Sequence, residues 1–462
     1  MILLVLFAVG LVARAAAGAF FLGPAYPDSF YYVNVAHALA AGRGFNLDYI
    51  WNFVDVGGTI PADPTLPIPS NAHWMPLASL VQVPFIWLLG PTPFASTLPF
   101  WIIGALAGPL AYLIATQAGT SRVVGVTAGV LAAIPAALLP FMAQPDNIGM
   151  YMVLGGLALL LGSRAWAGNR RALMFGGLVV AVATLSRTDG VLLAIPFAIA
   201  GLVQLWRNRR SRPDAVRWLV AGVVSAGAFL IVVAPWFLRQ LAVFGSLTPS
   251  AAAGILWVTN YEQLWSVSNP PTIQSFLAQG IGPLVMSRLA GMVAAVGIFA
   301  IWPLATVLAP FALAGGWLRR RDTNFWAFFV YGAIFFAASV LVWAIHIPYG
   351  TFIHSSAGLL PHTFVLTAIG LEALAAWLAA RRKGWQVRRA SIMFVSAAIA
   401  VSVLAAVIQT ISTMRVWQQD QTVRQQLNQT LGAAAPGQRL MSGDSGAYEY
   451  LFDRPGGLFD HR

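Results

Sequence analysis

The chain has 462 residues, 58% of them hydrophobic and only 9% charged, with a mean hydropathy of +0.74. Soluble domains carry roughly a quarter charged residues, so a soluble fold is excluded, and the net charge of +12 loses its usual meaning of a nucleic-acid partner. With no cysteine, disulfides and thiol chemistry are also excluded.

Apolar runs long enough to span a bilayer recur along the chain, which predicts helices rather than a barrel of short alternating strands. In chain order the predicted spans are 2–22, 96–116, 123–142, 148–163, 172–186, 190–206, 216–237, 289–317, 325–345, 357–380 and 391–412, about 11 in all. The fold class is therefore an all-α polytopic membrane bundle over residues 1–412, with residues 413–462 as a short tail. The first run is interrupted by Arg14 and lacks a basic region ahead of it, so it reads as a retained helix rather than a cleaved signal. Loop 23–95 follows, opening on PDSFYYVNVAHALAAGRGF (27–45). Within it, HWMPLASLVQVPFIWLLG (73–90) holds His73, Gln82 and two prolines. It could count as a twelfth span, which would put residues 23–72 in the cytoplasm, but its usable apolar run of about 14 residues favours an interfacial or re-entrant helix.

The arginines set the sides. Arg122, then Arg164 to Arg171, Arg207 to Arg217, Arg319 to Arg321 and Arg381 to Arg389 all follow even-numbered spans. By the positive-inside rule these loops are cytoplasmic. The N-terminus is then inside, the tail outside, and the protein sits in the cytoplasmic membrane. The first loop 23–95, the turns near Asp146 and Arg187, the long loop 238–288 and the turn 346–356 gather on the outer face. The cytoplasmic loops are short and carry no phosphate-binding glycine motif. Any chemistry is therefore extracytoplasmic and needs an activated substrate lodged in the membrane, of which a lipid-linked one is the natural candidate.

Read in order, DSFYY…AHALAAGRGF with Asp28, HWMPL, AQPDNIGMY, LSRTDG and PWFLRQLAVFGSLTPS resemble the GT-C superfamily of polyprenyl-phosphate-sugar-dependent glycosyltransferases, near its protein mannosyltransferase and aminoarabinose transferase branches. The likeness covers residues 1–250 in order and is looser to 412. It departs from the family in having a lone Asp28 rather than an acidic pair, and in the short tail. The resemblance implies a GT-C bundle that moves a sugar from a polyprenyl-phosphate donor to an acceptor lipid, glycan or protein, with membrane lipids around it and no nucleic acid. It also implies that Asp28 is the catalytic base and that Asp146 positions substrate or a divalent metal ion; His73 could join Asp146 or be a hydrogen-bonded interfacial histidine.

Each candidate has a plainer role. Asp28 and Asp146 both precede helical segments and could serve as N-caps; a carboxylate is equally suited to take a hydroxyl proton. Arg187 and Asp189 are spaced to pair with one another. Arg239, past the seventh span, could snorkel or hold a lipid phosphate with its two-pronged guanidinium. His346, His354 and His362 crowd into 17 residues as contacts for phosphate or sugar. Tyr31, Tyr32, Trp51 and Trp74 could stack on sugar rings or belong to the interfacial aromatic belt. Glu372, inside a span but near its cytoplasmic end, is assigned to bundle structure. A transporter or lipid flippase is the alternative class, but the internal repeats and paired broken helices expected of one are not visible.

The sidedness is testable in a chain that has no native thiol. Ile60→Cys should react with a membrane-impermeant maleimide added from outside, and Arg210→Cys only after permeabilisation; the reverse pattern would overturn the topology.

Overall fold

A computed structural model of the chain describes residues 1–58, 60, 65–258, 263, 271–342, 351–382, 385–431, 440–441, 445–453 and 456–457. Among these, ten helices are long and apolar enough to cross a membrane. The predicted span 172–186 is also helical, as the 17-residue Arg170–Ser186. Strands are confined, among the described residues, to two pairs of two residues each: Asn46–Leu47 antiparallel to Ile68–Pro69, and Leu440–Met441 parallel to Gly456–Gly457.

The helices start where short polar side chains can satisfy first-turn amides. Thr92 accepts from the Ala95 N–H, Ser121 from Val124, Asp146 from Ile148 and Asn169 from Ala172, at 3.1–3.2 Å. Within the first loop, Pro27–Ala40 is a 14-residue helix. The 73–90 segment becomes two short helices, Leu77–Leu80 and Val83–Leu89.

Several boundaries differ from the sequence reading: the predicted span 123–142 breaks after Ala133, and 216–237 runs on as Arg212–Phe244. The predicted span 289–317 is two helices, Ile281–Ile301 and Ala309–Leu318, joined by turns in which Ala305 and Thr306 have φ of 45° and 59°. Pro303 explains the break, since it has no N–H to donate to the preceding turn. The boundary expected at 412 falls inside a continuous 45-residue helix, Val387–Leu431. The tail then returns to the body: Ser445–Phe452 packs on the Pro27–Ala40 helix, where Asn34 donates to the Gly446 carbonyl at 2.8 Å and Tyr450 meets Phe30 at 5.7 Å between ring centroids.

The bundle is closed by small residues. In lipid there is little hydrophobic force between helices, so close backbone approach and dispersion take its place. A Cβ on Gly177 would stand 1.9 Å from the Ser225 carbonyl oxygen, and Gly315 and Gly370 face the backbones of Leu366 and Phe311 in the same way. Gly177→Ala should therefore lower the thermal midpoint of the detergent-solubilised protein, by about 1–3 kcal/mol of overpacking. Gly222→Ala, with nothing within 4 Å of the added carbon, should leave it unchanged or raise it.

Candidate active site

The Pro27–Ala40 helix begins with a division of labour. Ser29, not Asp28, ties down the entry: its Oγ accepts from the Ala25 and Tyr26 N–H groups at 2.9 and 3.1 Å. Tyr26 is the N-cap residue and Asp28 sits one position inside the helix. The capping role foreseen for Asp28 is thus taken by its neighbour, and the carboxylate is left facing a cavity of about 250 Å³.

Asp146 reaches the same cavity edge from the bundle. As N-cap of the helix Asn147–Trp166 it uses Oδ1 to accept from the Ile148 N–H at 3.2 Å. Its Oδ2 accepts from the Tyr26 hydroxyl at 2.6 Å and lies 3.3 Å from Nε2 of His354. That same nitrogen is 3.8 Å from Oδ2 of Asp28. One ligand-type atom from each of Asp28, Asp146 and His354 lies within 4.8 Å of the others. Asp146 and His354 are buried, whereas the Asp28 side chain keeps 28% of its surface exposed. Tyr26, Trp51, Phe141, Trp302 and Ile353 complete the cavity wall.

A brace stands behind His354. Arg187 donates from Nε to Asp189 Oδ1 at 3.2 Å and to Ser355 Oγ at 2.9 Å, and Ser355 donates to Asp189. The pairing read from LSRTDG is therefore present, and it fixes the residue next to His354.

The two carboxylates are driven apart electrostatically. Burial pushes Asp28 up to about 6, the Asp146 charge adds to this, and His354 pulls against it. Burial also pushes Asp146 up, but His354 together with hydrogen bonds from His354, Tyr26 and the Ile148 N–H outweighs it and holds Asp146 below the usual carboxylate range. Asp146 is thus held toward its charged form while Asp28 titrates closer to neutrality, a pattern typical of acid–base sites.

Of the residues singled out in the sequence, Asp28, Asp146 and His354 meet, with Arg187 immediately behind. The others lie elsewhere. Tyr31 is buried against Trp74 at 4.6 Å, and its hydroxyl accepts from the Asn71 N–H. The Tyr32 hydroxyl accepts from Asn147 at 2.9 Å. Both tyrosines hold the loop together, and Trp51 is the aromatic that faces the cavity. His73 packs edge-on against Trp74 at 4.5 Å, and burial lowers it to about 4, so it is neutral at physiological pH. The Arg239 guanidinium lies among Phe45, Trp236 and Phe244 and donates to the Phe45 carbonyl at 3.2 Å; it does not line the cavity. His362 is buried against Phe328, and His346 lies outside the described residues.

Sequence reasoning missed Tyr26, Ser355, Phe141 and Trp302. Only Tyr26 carried a signal, standing directly before Pro27–Asp28. The others are brought in by helix breaks that a hydropathy profile smooths over.

Residues 72–238 match the family model described as dolichyl-phosphate-mannose-protein mannosyltransferase. The crystal structure of ArnT from Cupriavidus metallidurans bound to undecaprenyl phosphate aligns with a TM-score of 0.55 at 14% identity, over 99% of this chain and 86% of that one. The Archaeoglobus fulgidus oligosaccharyltransferase in complex with zinc and sulfate aligns at 0.51 and 18% identity, over 89% of this chain and 53% of that one. The chain has the GT-C fold. At these identities the likeness to solved structures is one of fold. No protein of curated function matches the sequence.

In this GT-C bundle the electrostatic split is measurable without any substrate. In infrared titration one carboxyl should lose its protonated C=O band with a midpoint near pH 6, and Asp28→Asn should abolish that transition. A single transition near pH 4 for both aspartates would contradict it.

Proposed function

We propose that the protein is a membrane glycosyltransferase that moves a sugar from a polyprenyl-phosphate donor to a hydroxyl on an extracytoplasmic acceptor, with inversion at the anomeric carbon. The observation that carries this reading is Asp28, the cavity-facing, part-exposed carboxylate beside buried Asp146, poised to ionise near neutrality. The match to the mannosyltransferase family model and the fold shared with ArnT support a lipid-linked donor.

In this scheme Asp28 takes the proton of the acceptor hydroxyl as its oxygen bonds to the anomeric carbon. The bond from that carbon to the phosphate oxygen breaks, and polyprenyl phosphate leaves with the electron pair. A base with a pKa near the working pH combines an adequate ionised fraction with adequate basicity. Asp146 stays charged, so it cannot compete for that proton; it holds Tyr26 and His354 at the cavity edge. The Arg187 guanidinium, close enough to influence Asp28 electrostatically, balances charge on the leaving phosphate. Arg239, expected past the end of its span, lies inside the helix Arg212–Phe244 and is bound into its aromatic nest, where it ties that helix to Phe45 of the first loop.

The donor set of Asp28, Asp146 and His354 fits a divalent cation. Two carboxylates and an imidazole within 4.8 Å offer the mixed oxygen and nitrogen ligation that zinc-class ions accept. Asp146 and His354 would hold the ion, with Asp28 close enough to complete the set. A bound ion would supply positive charge toward the donor phosphate. The archaeal oligosaccharyltransferase solved with zinc supports this fit.

Release of polyprenyl phosphate from a radiolabelled lipid-linked sugar tests the reading. Asp28→Asn should fold and lower turnover by about 100-fold or more, the usual contribution of a positioned base. In chelator-treated wild type, kcat/KM should fall as pH drops through about 6, because the base must be ionised. If an ion binds, adding it back should move that limb to lower pH, since a neighbouring cation favours the charged carboxylate. Wild-type turnover by Asp28→Asn would sink the assignment.

A further inference from the structure

A second chamber lies on the far side of the helix that carries Asp28. Its volume is about 320 Å³, and Phe30, Phe21, Pro93, Gln421, Arg424 and Tyr450 are among the residues that line it. It is separate from the cavity of the acidic pair. Trp417 stands between them, packed on Tyr26 and Phe141, which line the first cavity, and on Phe21, which lines the second, at 5.6–5.8 Å between ring centroids. The two chambers are one indole apart and share the first turns of a single helix, with Asp28 lining one and Phe30 the other.

Three observations identify what the chamber can take. The first is its level. It forms where the helix Ile2–Ala19 ends, where the helix beginning at Pro93 starts, and where the helix Val387–Leu431 leaves its apolar stretch for the polar run after Arg415. That is the boundary between hydrocarbon and water. The second is its amphipathic wall: aromatic and proline side chains on one side, Gln418, Gln421 and Arg424 on the other. Its rim includes Phe20, 65% exposed, and the neighbouring Phe94 is 42% exposed, so it opens toward lipid. The third is charge. Arg424 is the cation of the lining, held with its guanidinium 5.2 Å from the Phe30 ring and only 9% exposed.

We propose that this chamber binds the anionic phosphate headgroup of a membrane amphiphile, with Arg424 on the phosphate and the acyl or prenyl chain leaving past Phe20. A planar guanidinium with parallel N–H donors matches phosphate oxygens, and the apolar rim takes the first carbons of the tail. A free phosphate ion would use the arginine but gain nothing from the rim. Because Phe30 is two residues from Asp28, occupancy of this chamber bears directly on the helix that positions the proposed base. The site does not depend on the transferase reading for its existence.

The test is lipid retention, read by native mass spectrometry from nanodiscs of phosphatidylcholine doped with phosphatidylglycerol. Wild-type protein should keep phosphatidylglycerol in excess. Arg424→Gln should reduce that excess about tenfold, the equivalent of one charge-assisted hydrogen bond, and Arg424→Lys should keep part of it. Leu451→Trp, which fills the chamber without removing charge, should also reduce it, and stands in if Arg424→Gln fails to fold. Dodecyl phosphate should displace the retained lipid, whereas inorganic phosphate and dodecyl maltoside should not. Equal retention by wild type and both chamber variants would overturn the proposal, as would displacement by inorganic phosphate at the same concentration. Asp28→Asn should retain lipid like wild type. Its turnover tests the catalytic reading alone, so the two can fail separately.

Discussion

The arrangement depends on one carboxylate with two oxygens in different service. Through Oδ1, Asp146 ends the orphan-amide problem of a long buried helix; through Oδ2 it receives the Tyr26 hydroxyl and faces His354. An N-cap position is also where a helix most favours negative charge. His354 chiefly, with the Tyr26 hydroxyl and the capped Ile148 N–H, keeps Asp146 ionised, and an ionised Asp146 helps deny ionisation to Asp28 until near neutrality. Replacing Asp146 by alanine removes a helix cap, a tether for the first loop and one source of the raised Asp28 pKa together.

The scaffold around this junction is tight where it is regular and polar where it is broken. Glycines at Gly155 and Gly358 bring the helix behind Asp146 against the segment carrying His354, with a Cβ on Gly155 falling 2.5 Å from the Gly358 Cα. Packing of this kind leaves little slack, so the 3.3 Å approach of His354 to Asp146 is set by backbone contact rather than by mobile side chains. On the other side the tail helix Ser445–Phe452 covers the first-loop helix. Asp28 thus sits on an element clamped from both faces.

Much of this was legible in the sequence, and the reasons for the rest are physical. Hydropathy locates helices because each must satisfy its own backbone in lipid, and the motif order from Asp28 to LSRTDG carried the fold. The site was legible in its acids, since a carboxylate is rare in so apolar a chain and Asp28 and Asp146 stand out. His354 was visible only as a member of a histidine-rich turn, because nothing local says that it lies opposite an aspartate 208 positions away. Arg239 looked like a phosphate ligand because a boundary arginine is expected to snorkel or bind. The aromatic nest of Phe45, Trp236 and Phe244 that receives it is assembled from separate segments. The helix runs past 412 for a different reason: it has no cause to stop where its apolar stretch stops.

Arg14 shows how a feature that disturbs the sequence pattern can hold the site in place. It is fully buried in the first helix, and its guanidinium donates to the Gly10 carbonyl and, 119 positions along the chain, to the carbonyl of Ala133, both at 3.1 Å. Ala133 is the last residue of the helix Arg122–Ala133, which breaks at Ile134–Pro135. Backbone released at such a depth must find partners within the protein. Here Arg14 takes the Ala133 carbonyl, Ser402 donates to the Ile134 carbonyl and accepts from the Ala136 N–H, and the Trp302 carbonyl accepts from the Ala137 N–H. Gly104 leaves the space the guanidinium fills, since a Cβ there would stand 2.5 Å from Arg14 Nε. The break is what redirects the chain through Phe141 to Asp146, and Trp302 stands at the break caused by Pro303. Two helix interruptions, each costly in lipid, compensate one another, and together they place two aromatic walls of the cavity and bring the chain to Asp146.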